Sequence, residues 1–187
     1  VCIFDYGDKT IVSETRGLKT APFREGFTGG WLFFGTEGSI AGNSLFDHEG
    51  KLVSTFSATR KSENHFANFL SAVRSRKREE LNAEIVEGHQ STALCHVGNI
   101  SWRLGREASV DEVSEQLKAI SVADDVQATL ARTTQHLQDN KVDLAATKLR
   151  LGVVLRPDGE HEAFIDNNDA NALLTRQYRA PFVVPTE

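Results

Sequence analysis

Over the first 56 residues, apolar and polar positions alternate in short runs broken by glycine-containing turns. Cys2-Ile-Phe-Asp-Tyr6 and Thr10-Ile-Val-Ser-Glu-Thr15 flank Gly7-Asp8-Lys9, which is the pattern of two strands joined by a hairpin turn. Trp31-Leu-Phe-Phe34 and Ser39-Ile-Ala41 flank Gly35-Thr-Glu-Gly38, and Ser44-Leu-Phe46 and Lys51-Leu-Val53 flank Asp47-His-Glu-Gly50. Hairpin-joined strands are antiparallel, because parallel neighbours need a long crossover. Residues 17 to 30, rich in Gly and polar side chains, read as a longer surface connection.

After Ser57 the period lengthens. Phe66, Phe69, Leu70 and Val73 fall at i, i+3, i+4 and i+7, one apolar face of a helix whose basic end, Arg74 to Arg78, complements the macrodipole. The next helix is expected over 88 to 104. At 100° per residue, Ala93, Val97, Ile100 and Leu104 share one side, while Cys95 and Trp102 lie opposite with Ser91 and Gly98. That pattern predicts two buried faces, with a polar stripe of His89, Thr92, His96, Asn99 and Arg103 between them. Residues 109 to 140 read as an amphipathic helical pair: Ser109 and Glu112 have capping-box spacing, followed by Val110, Val113, Leu117 and Ile120, and then by Val126, Leu130 and Leu137. Residues 148 to 165 look extended, with a turn at Pro157-Asp158-Gly159; a short helix is expected over 168 to 178, and prolines keep the tail 179 to 185 extended.

These elements predict an α+β fold, a mostly antiparallel open sheet of several strands covered on one face by the helices at 65–75 and 88–104, with an additional helical pair. Residues 1–106 would hold the sheet and its packing helices, 107–150 a helical elaboration, and 151–187 an extended segment, short helix and tail packing back on the rest. Trp31, Phe33 and Phe34 alternate with Leu32, so their strand is apolar on both sides. A sheet with two apolar faces needs two covers, and a homo-oligomer formed through the sheet is the expected second one.

Composition narrows the function classes. The 187 residues are 40% hydrophobic and 25% charged, which excludes disorder and is enough for a hydrophobic core without metal or disulfide. Lys and Arg number 21 against 26 Asp and Glu, so no net positive field draws the chain to nucleic acid. No apolar run approaches the ~20 residues that span a bilayer, and no secretion signal is visible; a cytoplasmic protein without a membrane partner is expected. The two cysteines are too few for a disulfide framework. The sequence opens on Val1 in strand-like residues and contains no Met, which suggests that a further segment precedes it.

Candidate chemistry is sparse. No G-x-G-x-x-G lies between a strand and a helix, Gly35 to Gly42 lacks the lysine of a P-loop, and Gly42-Asn-Ser44 lacks the second glycine of a nucleophile elbow. No catalytic residue is assigned. His89 and His96 are two helical turns apart with no acidic residue at ligand spacing, so no metal is expected. The stripe itself is the candidate: four groups able to hydrogen-bond lie within an ~80° arc beside an apolar face.

Arg16-Gly-Leu18, Phe33-Phe-Gly-Thr-Glu-Gly38, Asn64-His-Phe-Ala-Asn-Phe-Leu70, Ala72-Val-Arg74, Leu81-Asn-Ala83, Glu87-Gly-His89, Ala93-Leu-Cys-His96, Asn99-Ile-Ser101, Ala172-Leu-Leu-Thr-Arg176 and the ending Tyr178-Arg-Ala-Pro-Phe-Val-Val-Pro185 together resemble the C-terminal half of the glucose–fructose oxidoreductase/inositol dehydrogenase (Gfo/Idh/MocA) family. The resemblance implies a substrate-binding and oligomerisation domain of an NAD(P)-dependent oxidoreductase acting on a sugar, inositol or related polyol. It also implies an N-terminal Rossmann domain as partner, which would supply the NAD or NADP site; the family's glycine fingerprint and catalytic lysine have no counterpart in these residues, so no cofactor is assigned to this chain and it is not expected to be catalytic alone. His89, His96, Asn99 and Arg103 would then bind substrate hydroxyls. A freestanding, non-enzymatic binding or interaction module derived from that domain is the alternative.

Overall fold

The computed structural model describes residues 1–22, 29–57 and 64–184. Parts of the connection at 17–30 and of the tail at 179–185 lie outside the described residues. In chain order the elements are β1 (Cys2–Asp5), β2 (Thr10–Ser13), β3 (Leu32–Gly35), β4 (Gly38–Ala41), β5 (Ser44–Phe46), β6 (Leu52–Thr55) and α1 (His65–Ser75), followed by a 3-10 turn (Arg78–Glu80). The second half brings α2 (Ile85–Leu104), β7 (Arg106–Ala108), α3 (Val110–Lys118), α4 (Val126–Asp139), β8 (Leu149–Leu151), β9 (Pro157–Asp158), β10 (Ala163–Phe164) and α5 (Asn168–Ala172). All strand pairs are antiparallel, so the fold is α+β. The chain forms two compact units, one of Val1–Thr15 with Ile85–Glu187 and the other of Arg16–Glu84.

In the smaller unit, β3-β4-β5-β6 is a four-stranded meander. Its register sets Phe33, Ile40 and Leu45 in one cross-strand row and Phe34, Ser39, Phe46 and Leu52 in a row on the other face, with a bulge after Leu45. Both faces are therefore apolar, as expected, and Phe33 is 63% and Phe34 69% exposed. Helix α1 differs from expectation, since Phe66 is 69% exposed and the buried residue is Asn68. The reason is polar. Asn68 Nδ2 donates to the Glu80 carbonyl at 2.8 Å and its Oδ1 accepts from Asn82 N at 2.9 Å, so α1 is held to the 3-10 turn and the segment after it through its amide.

The larger unit has a conventional interior. Ile100, Phe164 and Ala170 are buried together, with Val97, Leu104, Leu155 and Leu173 packed on them. Asn171 clamps β10 to α5, its side chain accepting from Phe164 N at 2.7 Å and donating to the Phe164 carbonyl at 2.9 Å. Ser109 and Glu112 form the capping box expected of α3, and its apolar stripe meets α4 where Val113 and Val126 are buried. The Glu112 carboxyl is held below its usual range by the Ser109 backbone N–H, then the Ser109 hydroxyl, then Arg106.

Three boundaries differ from the sequence reading. Helix α2 begins at Ile85, three residues before Gly88, and α5 ends at Ala172, with its C-cap Leu173 packed on the core cluster. Strand β7 carries no periodic signal of its own and exists through pairing with β8.

Candidate functional site

Helix α2 supplies the candidate site and does so with one packed side, not two. Ile100 is buried and Val97 and Leu104 are packed beside it, whereas Cys95 is exposed and Trp102 is 58% exposed. The face expected to be the second buried one is met closely by β1 at Gly98, where a Cβ would lie 2.8 Å from Cys2 Sγ. Trp102 instead carries the Arg150 guanidinium over its ring at 5.0 Å. Arg150 also donates to the Trp102 and Arg103 carbonyls at 2.8 and 3.0 Å, joining Gly105 N on the Trp102 oxygen at the end of α2. On the packed side, Gly152 lies so close to Ser101 that no side chain fits, and Ser101 Oγ donates to the Val153 carbonyl at 2.7 Å.

The structure places His89, His96, Asn99 and Arg103 along one exposed strip of α2. Thr92, the fifth residue of the sequence stripe, donates its hydroxyl proton to the Gly88 carbonyl at 2.7 Å and so is left with acceptor capacity alone. His89 is the member with a partner from elsewhere: its Nε2 lies 2.7 Å from Glu162 Oε1, on a residue 73 positions away in the turn between β9 and β10. Sequence spacing gave no sign of Glu162. Its backbone is unusual, with φ at 48° in the left-handed region where glycine and asparagine are at home.

The magnitudes bear on what this contact is for. A left-handed backbone costs a residue with a Cβ about 1–2 kcal/mol, and a contact between side chains this exposed, 57% and 69%, contributes about 0–1 kcal/mol because water competes for both partners. Beside it, His161 Nδ1 meets Asp158 Oδ2 at 2.8 Å. The His161 ring, followed by the His161 and Glu160 backbone N–H groups, holds the Asp158 carboxyl below its usual range.

The other histidines have ordinary surroundings. His48 Nε2 lies 2.8 Å from the Thr36 carbonyl, and His65 lies against Phe66 with ring centroids 4.1 Å apart; Glu63, two residues before it, lies outside the described residues. Among the described residues no group of three or more His, Cys, Asp or Glu could hold a metal ion. Gly7, Gly38, Gly42 and Gly50 have positive φ in or beside hairpin turns between antiparallel strands, Gly30 has it just before β3, and none of the five opens a described helix. No described helix is long and apolar enough to cross a membrane. No protein-family model, curated protein or solved structure matches the chain.

Proposed function

We propose that this chain is the substrate-binding and oligomerisation part of an NAD(P)-dependent oxidoreductase acting on a sugar, inositol or related polyol. In this reading it performs no hydride transfer alone and works with a Rossmann domain N-terminal to it, which holds the nicotinamide cofactor. The observation that carries the proposal is the uncovered apolar sheet of the smaller unit, with Phe33 63% and Phe34 69% exposed, a surface that a second copy of the chain would cover. The sequence resemblance supplies the chemistry, and the exposed α2 strip supplies donors and acceptors suited to hydroxyl groups.

Light scattering at high micromolar concentration tests the oligomer: the chain is expected to self-associate, and the double change Phe33→Ser with Phe34→Ser to return it to a monomer. A clean wild-type monomer would remove oligomerisation from the proposal. The polypeptide with its preceding segment is expected to reduce NAD or NADP with a polyol as donor. If a panel of polyols gave no reduction while the chain still associated, the freestanding interaction module would replace the enzyme reading.

A further inference from the structure

We infer that Glu162 is a positioning residue, which fixes His89 as a hydrogen-bond acceptor for a hydroxyl group of a bound polyol. The polyol class rests on the function proposed above; the pairing does not. An ionised carboxylate only accepts hydrogen bonds, so the contact at 2.7 Å requires the proton on His89 Nε2. The neutral ring then carries its lone pair on Nδ1, and a hydroxyl that donates to Nδ1 completes a carboxylate–imidazole–hydroxyl chain. This is the arrangement by which a carboxylate sets the tautomer and orientation of a working histidine.

Three features fix the place of Glu162. Its backbone sits at φ 48°, a conformation that glycine would adopt without strain. On its N-terminal side the turn is braced by Asp158, whose Oδ1 accepts from Glu160 N at 2.9 Å and His161 N at 3.2 Å. On its C-terminal side Phe164 is buried in the core and bonded through both backbone groups to Asn171. The carboxylate is thus carried on a turn fixed at both ends, and it reaches the member of the α2 strip nearest the helix start. Such outside support is what keeps a binding group in working geometry.

Nitrogen-15 NMR of the histidine-labelled chain tests the inference, with His89→Asn for assignment. At a pH where the ring is neutral, His89 should show a protonated Nε2 with slowed solvent exchange and an unprotonated Nδ1. Glu162→Gly should speed that exchange about tenfold or more while leaving the melting temperature equal or higher, since glycine relieves the backbone. Glu162→Gln should weaken the signature less, because its amide oxygen still accepts. Addition of myo-inositol should move the His89 Nδ1 resonance in the wild type and not in Glu162→Gly. Unchanged His89 exchange in both variants, or a lower melting temperature in Glu162→Gly with the signature retained, overturns the positioning role. If the signature depends on Glu162 but myo-inositol and a wider polyol panel move nothing, the positioning role stands and the polyol function falls.

Discussion

The larger unit buries Phe164 and Ile100 to 4% and 5% exposure, whereas the smaller unit leaves Phe33, Phe34, Phe66 and Phe69 more than half exposed. Both units come from sequence with clear amphipathic periods, so hydrophobic patterning does not explain the difference. What differs is the supply of partners. In the larger unit, glycines at 98 and 152 let β1 and the segment after β8 approach α2 closely, and Asn171 ties β10 to α5. The smaller unit has a sheet apolar on both faces and one helix anchored by a polar residue, Asn68. An apolar pattern states which side chains need cover; it does not state that the same chain provides it.

The largest effect that would break this comparison is a matched pair of truncations. Phe164→Ala should cost about 3–5 kcal/mol in urea denaturation, while Phe34→Ala in the dilute chain should change stability by less than about 0.5 kcal/mol. Equal losses would mean that the sheet faces are covered within the chain and that the contrast between the units is wrong.

A smaller effect sharpens the account of the second unit. If Asn68 is its anchor, Asn68→Ala strands the Glu80 carbonyl and the Asn82 N–H and should cost about 1–3 kcal/mol, more than Phe66→Ala on the exposed side of the same helix. Hydrogen exchange of Asn82 is the direct readout, and an unchanged rate would refute the anchor.

The smallest expected stability effect lies on the α2 strip. His96→Ala and Asn99→Ala remove exposed side chains and should stay within about 0.5 kcal/mol of wild type, while kcat/KM of the enzyme containing this domain falls roughly tenfold or more. Losses above about 1.5 kcal/mol with turnover preserved would make the strip a structural feature.

The sequence by itself determined the local elements. The turns at Gly7, Gly35 to Gly38 and Asp47 to Gly50, and the Ser109–Glu112 capping box, are where it placed them, because hairpin turns and helix caps are decided by residues within a few positions of one another. It also determined that His89, His96, Asn99 and Arg103 share one side of a helix, since 3.6 residues per turn follows from backbone geometry. Only the tertiary structure decided that residues 1–15 join 85–187, that β7 is a strand, and that Cys95 and Trp102 are exposed. Glu162 is the clearest case. Nothing near it in the chain marks it, because its partner lies 73 residues away; the pairing depends on a braced turn delivering one carboxylate to one imidazole, and a contact of that kind leaves no period in the sequence to read.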